Sequence, residues 1–168
     1  VNQRLSLSAK GMLCDVLVMT ATPIPRSLLL TAYGDMDYSK IGELPKGRKP
    51  AQTVVINVSK MPDVINALSR KLAEGTRAYW VCPLVDESEK SDLAAATERY
   101  EMLQQYFGAK VGLIHGKMKE TEKDAVMEEF KKGNITLLVA TTVIEVGVNV
   151  PEATIMIIEH AERFGLAQ

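Results

Sequence analysis

Leu137-Leu138-Val139-Ala140-Thr141-Thr142-Val143-Ile144-Glu145-Val146-Gly147-Val148-Asn149-Val150-Pro151 is the stretch whose reading decides the fold. Four apolar residues climb to two threonines, and the run then carries one carboxylate and a glycine before it stops at a proline. A continuous apolar run bounded by turn residues is the pattern of a strand buried on both faces, as in a parallel sheet covered by helices. In open α/β sheets ligands sit beyond the carboxyl ends of the strands, and Thr141, Thr142, Gly147 and Asn149 fall there. Taken alone, the two hydroxyls equally mark an ordinary strand-to-loop junction in which threonines close stray backbone groups. The flanking chain has to decide between the two.

Outward from this stretch the pattern is regular. Thr53 to Val58 alternates as a strand, and Val64, Leu68 and Leu72 mark a helix ending at Gly75. Arg77 to Pro83 is a strand, residues 84–92 form an acidic loop, and a helix runs from Leu93 to Phe107. Lys110 to Ile114 is a short strand leading into His115-Gly116-Lys117. The next helix covers Glu120 to Lys132, with Val126, Met127 and Phe130 on one face and Gly133 as its stop. Beyond the opening stretch, Ala153 to Ile158 is a further strand. Strands alternating with helices predict an α/β fold, a parallel sheet with helices on both faces, from about residue 50 to 160. Upstream, Gly34 to Pro50 is rich in glycine and proline and lacks periodicity, as a linker between domains would. Before it, an apolar strand from Asp15 to Met19 runs up to Thr20-Ala21-Thr22, and Pro23 and Pro25 set its exit. Pro25 then begins a short helix through Ala32.

With 168 residues, 46% hydrophobic and 24% charged, the chain is an ordinary globular protein with one good core or two small ones. Its net charge of −1 neither implies nor excludes nucleic acid, because acidic residues elsewhere cancel a local basic groove. Cys14 and Cys82 form no Cys-x-x-Cys pair and have no histidine at zinc-ligand spacing, so both are expected as reduced thiols of a cytoplasmic protein without a metal site. No apolar run approaches the roughly 20 residues of a membrane span, and no membrane partner is expected. The chain opens on Val1 without a methionine, which suggests a piece of something longer.

Candidate sites are few. In His115-Gly116-Lys117 the glycine admits a close backbone approach and the lysine brings charge, while the following helix offers unpaired N–H groups to an anion. A strand-end turn with a capping histidine is the plainer reading of an isolated His-Gly. Thr20-Ala21-Thr22 has the same character at another strand end. The run Asp86, Glu87, Glu89 and Asp92 lacks a calcium-loop glycine pattern and reads as a solvated loop. His160, between Glu159 and Glu162, reads as a surface residue. No Gly-x-x-x-x-Gly-Lys-Ser/Thr phosphate loop occurs, nor an acidic pair at a strand end to hold magnesium. No catalytic residue is therefore assigned, and this chain by itself is expected to be inactive.

In order, Thr20-Ala21-Thr22-Pro23-Ile24-Pro25-Arg26, Ala78 to Glu89, His115-Gly116-Lys117-Met118-Lys119 and Ala140 to Pro151 resemble the later motifs of helicases of the second superfamily. Within it they look most like bacterial ATP-dependent motors that remodel stalled replication forks and Holliday junctions in recombination and repair. Transcription-repair coupling translocases, which share the Thr20 to Arg26 motif, come second. A free-standing, non-catalytic RecA-like binding module is the alternative of a different class.

The resemblance implies that residues 1–48 are the tail of a first RecA-like lobe plus the interlobe linker, and that 49–168 are a second RecA-like lobe truncated at its end. It also implies roles. Thr20, Ala21 and Thr22 would couple nucleotide state to the DNA path. His115, Gly116, Lys117, Thr141 and Thr142 would touch the DNA backbone, and Gly147 and Asn149 would face the nucleotide ribose. Many relatives carry Asp where this chain has Asn149; an amide both donates and accepts, whereas a carboxylate only accepts. ATP and Mg2+ would belong to the full-length parent, branched DNA would be its partner, and no cofactor is expected on this piece. A strand at Val16 to Met19 severed from its sheet would be prone to exchange between copies of the chain.

Overall fold

A computed structural model describes residues 17, 19, 39–43, 50–82, 89–141 and 150–164. The chain divides into two compact units, Val1–Gln52 and Thr53–Gln168. In the first, the described residues have no regular secondary structure, and Leu17 and Met19 are 82% and 83% exposed. The helix expected after Pro25 lies outside the described residues.

The second unit contains α1 (Met61–Ala73), β1 (Arg77–Val81), α2 (Glu89–Phe107), β2 (Val111–Ile114), α3 (Glu120–Lys132), β3 (Leu137–Ala140) and β4 (Ala153–Ile158). All strand pairs are parallel, in the order β2-β3-β1-β4. β3, the first half of the opening stretch, is interior and fully buried, as its unbroken apolar run requires. β4 is an edge strand, and its residues alternate between half-buried and exposed.

Helices cover both faces. Ile65 and Leu68 of α1 and Ala96 and Leu103 of α2 pack on Ala78, Trp80, Val111, Leu137 and Val139. Met127 and Phe130 of α3 pack on the opposite face against Ile114, Leu138 and Val150. None of the described helices is long and apolar enough to cross a membrane.

Local chemistry sets the boundaries. α1 opens with Pro62, whose missing N–H costs nothing in a first turn, and Asp63 there with Arg70 and Lys71 in the last turn match the helix dipole at both ends. α3 ends where Gly133 takes φ +85°. That left-handed conformation favours glycine, and a Cβ built there would also press on Arg77, 3.1 Å from its Nη2. The Arg77 side chain donates to Lys131 O at 2.9 Å and pairs with Glu152 at 3.2 Å, tying α3 to the amino edge of the sheet.

One element departs from expectation. Thr53 to Val58 is no strand; residues 53–57 have no regular secondary structure and Val58 opens a 3-10 turn, Val58–Lys60, while Val54, Val55, Ile56 and Val58 are 74%, 101%, 49% and 61% exposed. Alternation reports fitness for a pleated, half-buried surface, and a strand forms only where a neighbouring strand supplies the bonds. Among the described residues none pairs with this segment.

Candidate functional site

The register aligns Ile114, Ala140, Val81 and Ile158 in one row across the sheet. Three backbone bonds carry the ladder one residue further: Thr141 N to Ile114 O at 3.2 Å, Cys82 N to Ala140 O at 2.8 Å, and Glu159 N to Val81 O at 3.0 Å. The carboxyl edge therefore presents His115, Thr141, Cys82 and Glu159 side by side. Two of these four, His115 and Thr141, are residues singled out from the sequence, brought together from strands separated by α3. Thr142, Gly147 and Asn149, and Thr20, Ala21 and Thr22, lie outside the described residues.

His115 is half-buried, and Gly116 and Lys117 are exposed. The turn that presents them is closed by Met118 N donating to His115 O at 3.2 Å. His115 Nδ1 is buried without a hydrogen-bond partner, which leaves Nε2 as the ring nitrogen able to serve a ligand. Burial holds the imidazole below its usual titration range; Lys117 and Lys123 push the same way, and Glu122 opposes them. At neutral pH the ring is therefore an uncharged hydrogen-bonding group, and Lys117 supplies the positive charge.

This makes a prediction about pH. Between the folded and the ordinary histidine range, the unfolded chain binds a proton that the folded chain refuses, so stability rises with pH across that window. The contribution of His115 is complete above about pH 6.5 and is lost as pH falls through the lowered folded value. Urea midpoints measured at pH 7.5 and 5.5 should therefore fall less for His115→Gln than for the wild-type chain. Equal falls would remove His115 from the acid response.

The start of α3 carries its own carboxylates. The Glu122 carboxylate accepts the Lys119 N–H at 3.0 Å, and Glu120 and Glu122 both lie in the first turn. Two carboxylates at the positive end of the helix complement its dipole themselves and repel a phosphate. Gly116 and Lys117 lie exposed ahead of the helix.

Thr141 is only 4% exposed and sits beneath the surface of the row. Cys82 is buried, and burial first, then the nearby Glu159 charge, pushes its thiol up to about 12, so it is not a nucleophile. Glu159 is the member of the row that sequence reasoning passed over as a neighbour of His160. A signal was present: Ile155, Ile157 and Glu159 alternate on one face of β4, and a carboxylate continuing an apolar face needs a partner. His160 itself is exposed and bonded to Glu162 at 3.0 Å, as a surface residue should be. Among the described residues no group of three or more His, Cys, Asp or Glu side chains is placed to hold a metal ion.

A parallel sheet with helices on both faces and its polar groups along the carboxyl edge is the architecture of a RecA-like lobe. Residues 59–167 match the helicase conserved C-terminal domain, and the chain belongs to that family. Its relatives include the ATP-dependent DNA helicase RecG of Acidithiobacillus ferridurans, 52% identical over 169 residues that cover 100% of this chain and 25% of the relative. RecG of Bacillus subtilis (strain 168) is 49% identical over 170 residues, again covering 100% of this chain and 25% of the relative. The chain thus spans about a quarter of the length of these relatives. Among solved structures, the C-terminal domain of a Sulfolobus solfataricus SWI2/SNF2 ATPase aligns with a TM-score of 0.45 at 15% identity, covering 59% of this chain and 41% of that one.

Proposed function

We propose that this chain is the second-lobe region of an ATP-driven DNA motor of the RecG kind, acting on stalled forks and Holliday junctions to drive branch migration. Residues 1–48 belong to the end of a first lobe and the linker, and 49–168 to the second lobe. The observation that carries the reading is similarity at about half of all positions along the whole chain to ATP-dependent DNA helicases. His115, Gly116, Lys117 and Thr142 meet the DNA backbone, and Thr141, buried in the same row as His115, supports that contact. Backbone contacts position a motor without reading sequence, as movement along DNA requires. Thr20, Ala21 and Thr22 couple nucleotide state to that contact, and Gly147 and Asn149 face the ribose. The motor works in the cytoplasm.

ATP with Mg2+, bound between two lobes, would supply the hydrolysis energy that closes and reopens them. The phosphate loop and the magnesium-holding carboxylates are absent from these 168 residues, so the other lobe has to provide them. The full-length gene product should hydrolyse ATP in response to forked DNA and unwind it, while the 168-residue chain alone should show no turnover. Turnover by the isolated chain, or a gene without a phosphate loop upstream of residue 1, would overturn the proposal.

A further inference from the structure

The DNA-facing groups above use one end of the carboxyl-edge row; the other end holds a polar knot that they leave unexplained. Glu159 points under α2. Its carboxylate accepts the Trp80 indole N–H and pairs with the Arg99 guanidinium, whose Nη2 donates to Oε2 at 2.8 Å. The guanidinium also lies 5.9 Å from the centre of the Trp80 ring, and Arg99 Nη1 sits 3.0 Å from Met102 Sδ. The Arg99 and Glu159 side chains are only 25% and 11% exposed, and Trp80 is fully buried. The next residue, His160, adopts φ +48° and ψ +50°, and it is the one non-glycine residue with positive φ among those described.

These two features need a common reason. A sheltered ion pair loses hydration that its attraction only partly returns, so it is weak evidence of stabilisation. A non-glycine residue in the left-handed region also costs energy and persists only where its surroundings over-determine it. At the opposite edge of the sheet, Arg77 fastens α3 without any strained neighbour. Fastening a helix to this sheet therefore does not require the arrangement at Glu159.

We infer that Glu159 is a positioning residue for the motor reaction: held by Trp80 of β1 and Arg99 of α2, it fixes where the chain leaves β4 and forces the His160 turn. The inference rests on the reading given under Proposed function. Glu159 touches neither DNA nor nucleotide. It keeps the carboxyl edge in one geometry, so that contact at His115 and Lys117 is transmitted along the row to the exit of β4 instead of being absorbed by loose packing.

The test uses the full-length protein. Glu159→Gln keeps the shape and removes the charge that Arg99 requires. It should lose most of the DNA-stimulated kcat while KM for ATP and Kd for forked DNA stay unchanged. Arg77→Ala, which breaks the fastening at the other edge, should lower the Tm at least as much and keep the stimulated kcat. In the 168-residue chain, where Trp80 is the single tryptophan, Glu159→Gln should shift its emission with an unchanged far-UV spectrum. If that spectrum shows unfolding, Glu159→Asp, which retains the charge but shortens its reach, takes its place with the same outcomes expected. A normal stimulated kcat in the variant, or kcat losses that simply track Tm in both variants, would overturn the inference. Absence of DNA-stimulated turnover in the wild-type protein would instead strike the functional reading itself.

Discussion

Phe130→Ala should cost the second unit about 3–5 kcal/mol, the range for emptying a fully buried aromatic site. Phe130 is completely buried on α3 and packs on the Tyr79 ring with centroids 5.1 Å apart, beside Ile114, Met127, Leu138 and Val150. α3 is the helix of that core cluster, so little else can move in to fill the space. Against a total of about 5–15 kcal/mol for a domain, the loss leaves a marginal fold. Urea unfolding followed by far-UV circular dichroism measures it directly. Val55→Ser is the contrasting control: the side chain is fully exposed, and its removal should change stability by less than about 0.5 kcal/mol. A Phe130→Ala chain as stable as wild type would mean that α3 does not cover the sheet, and the placement of His115 and Lys117 ahead of it would fall too.

Lys117→Gln in the full-length protein should weaken binding to forked DNA about eightfold near 0.1 M salt and make the slope of log K against log salt shallower by about 0.9. Lys117 is exposed, stands in the turn between β2 and α3, and has no ion-pair partner among the described residues. Lys123, Lys131 and Lys132 on α3 are each paired three residues back with Glu120, Glu128 and Glu129, which lowers their value to a phosphate. The loss should be uniform across fork sequences, because a phosphate contact carries no base information. Fluorescence anisotropy over a salt series with two unrelated fork sequences is the measurement. An unchanged slope would place DNA elsewhere. A loss confined to one sequence would mean that Lys117 reads bases.

How much of this was legible in the sequence depended on the range of the forces involved. α3 and β4 have the bounds that periodicity and punctuation predict, because Gly133 and the run from Ala153 to Ile158 act within a few residues of themselves. α2 begins at Glu89, four residues before the predicted Leu93, because residues 89–92 carry no apolar periodicity to mark the helix start. Thr53 to Val58 went the other way, since its alternation satisfied every local criterion and the missing requirement was a partner strand. The start of α3 shows the same limit: three residues separate Lys119 from Glu122, yet only the built helix brings that carboxylate onto the Lys119 N–H.

By itself, then, the sequence determined the class of fold, a helix-covered parallel sheet, and the strand ends where polar residues gather. Those properties follow from hydrophobic period and turn chemistry, which are local. Tertiary structure alone decided which strand ends are neighbours. The order β2-β3-β1-β4 sets His115 beside Thr141, although 26 positions separate them in the chain, and carries Glu159 beneath α2 to Trp80 and Arg99. Strand order is a property of how crossovers pack on the whole sheet, and no stretch of the chain encodes it alone.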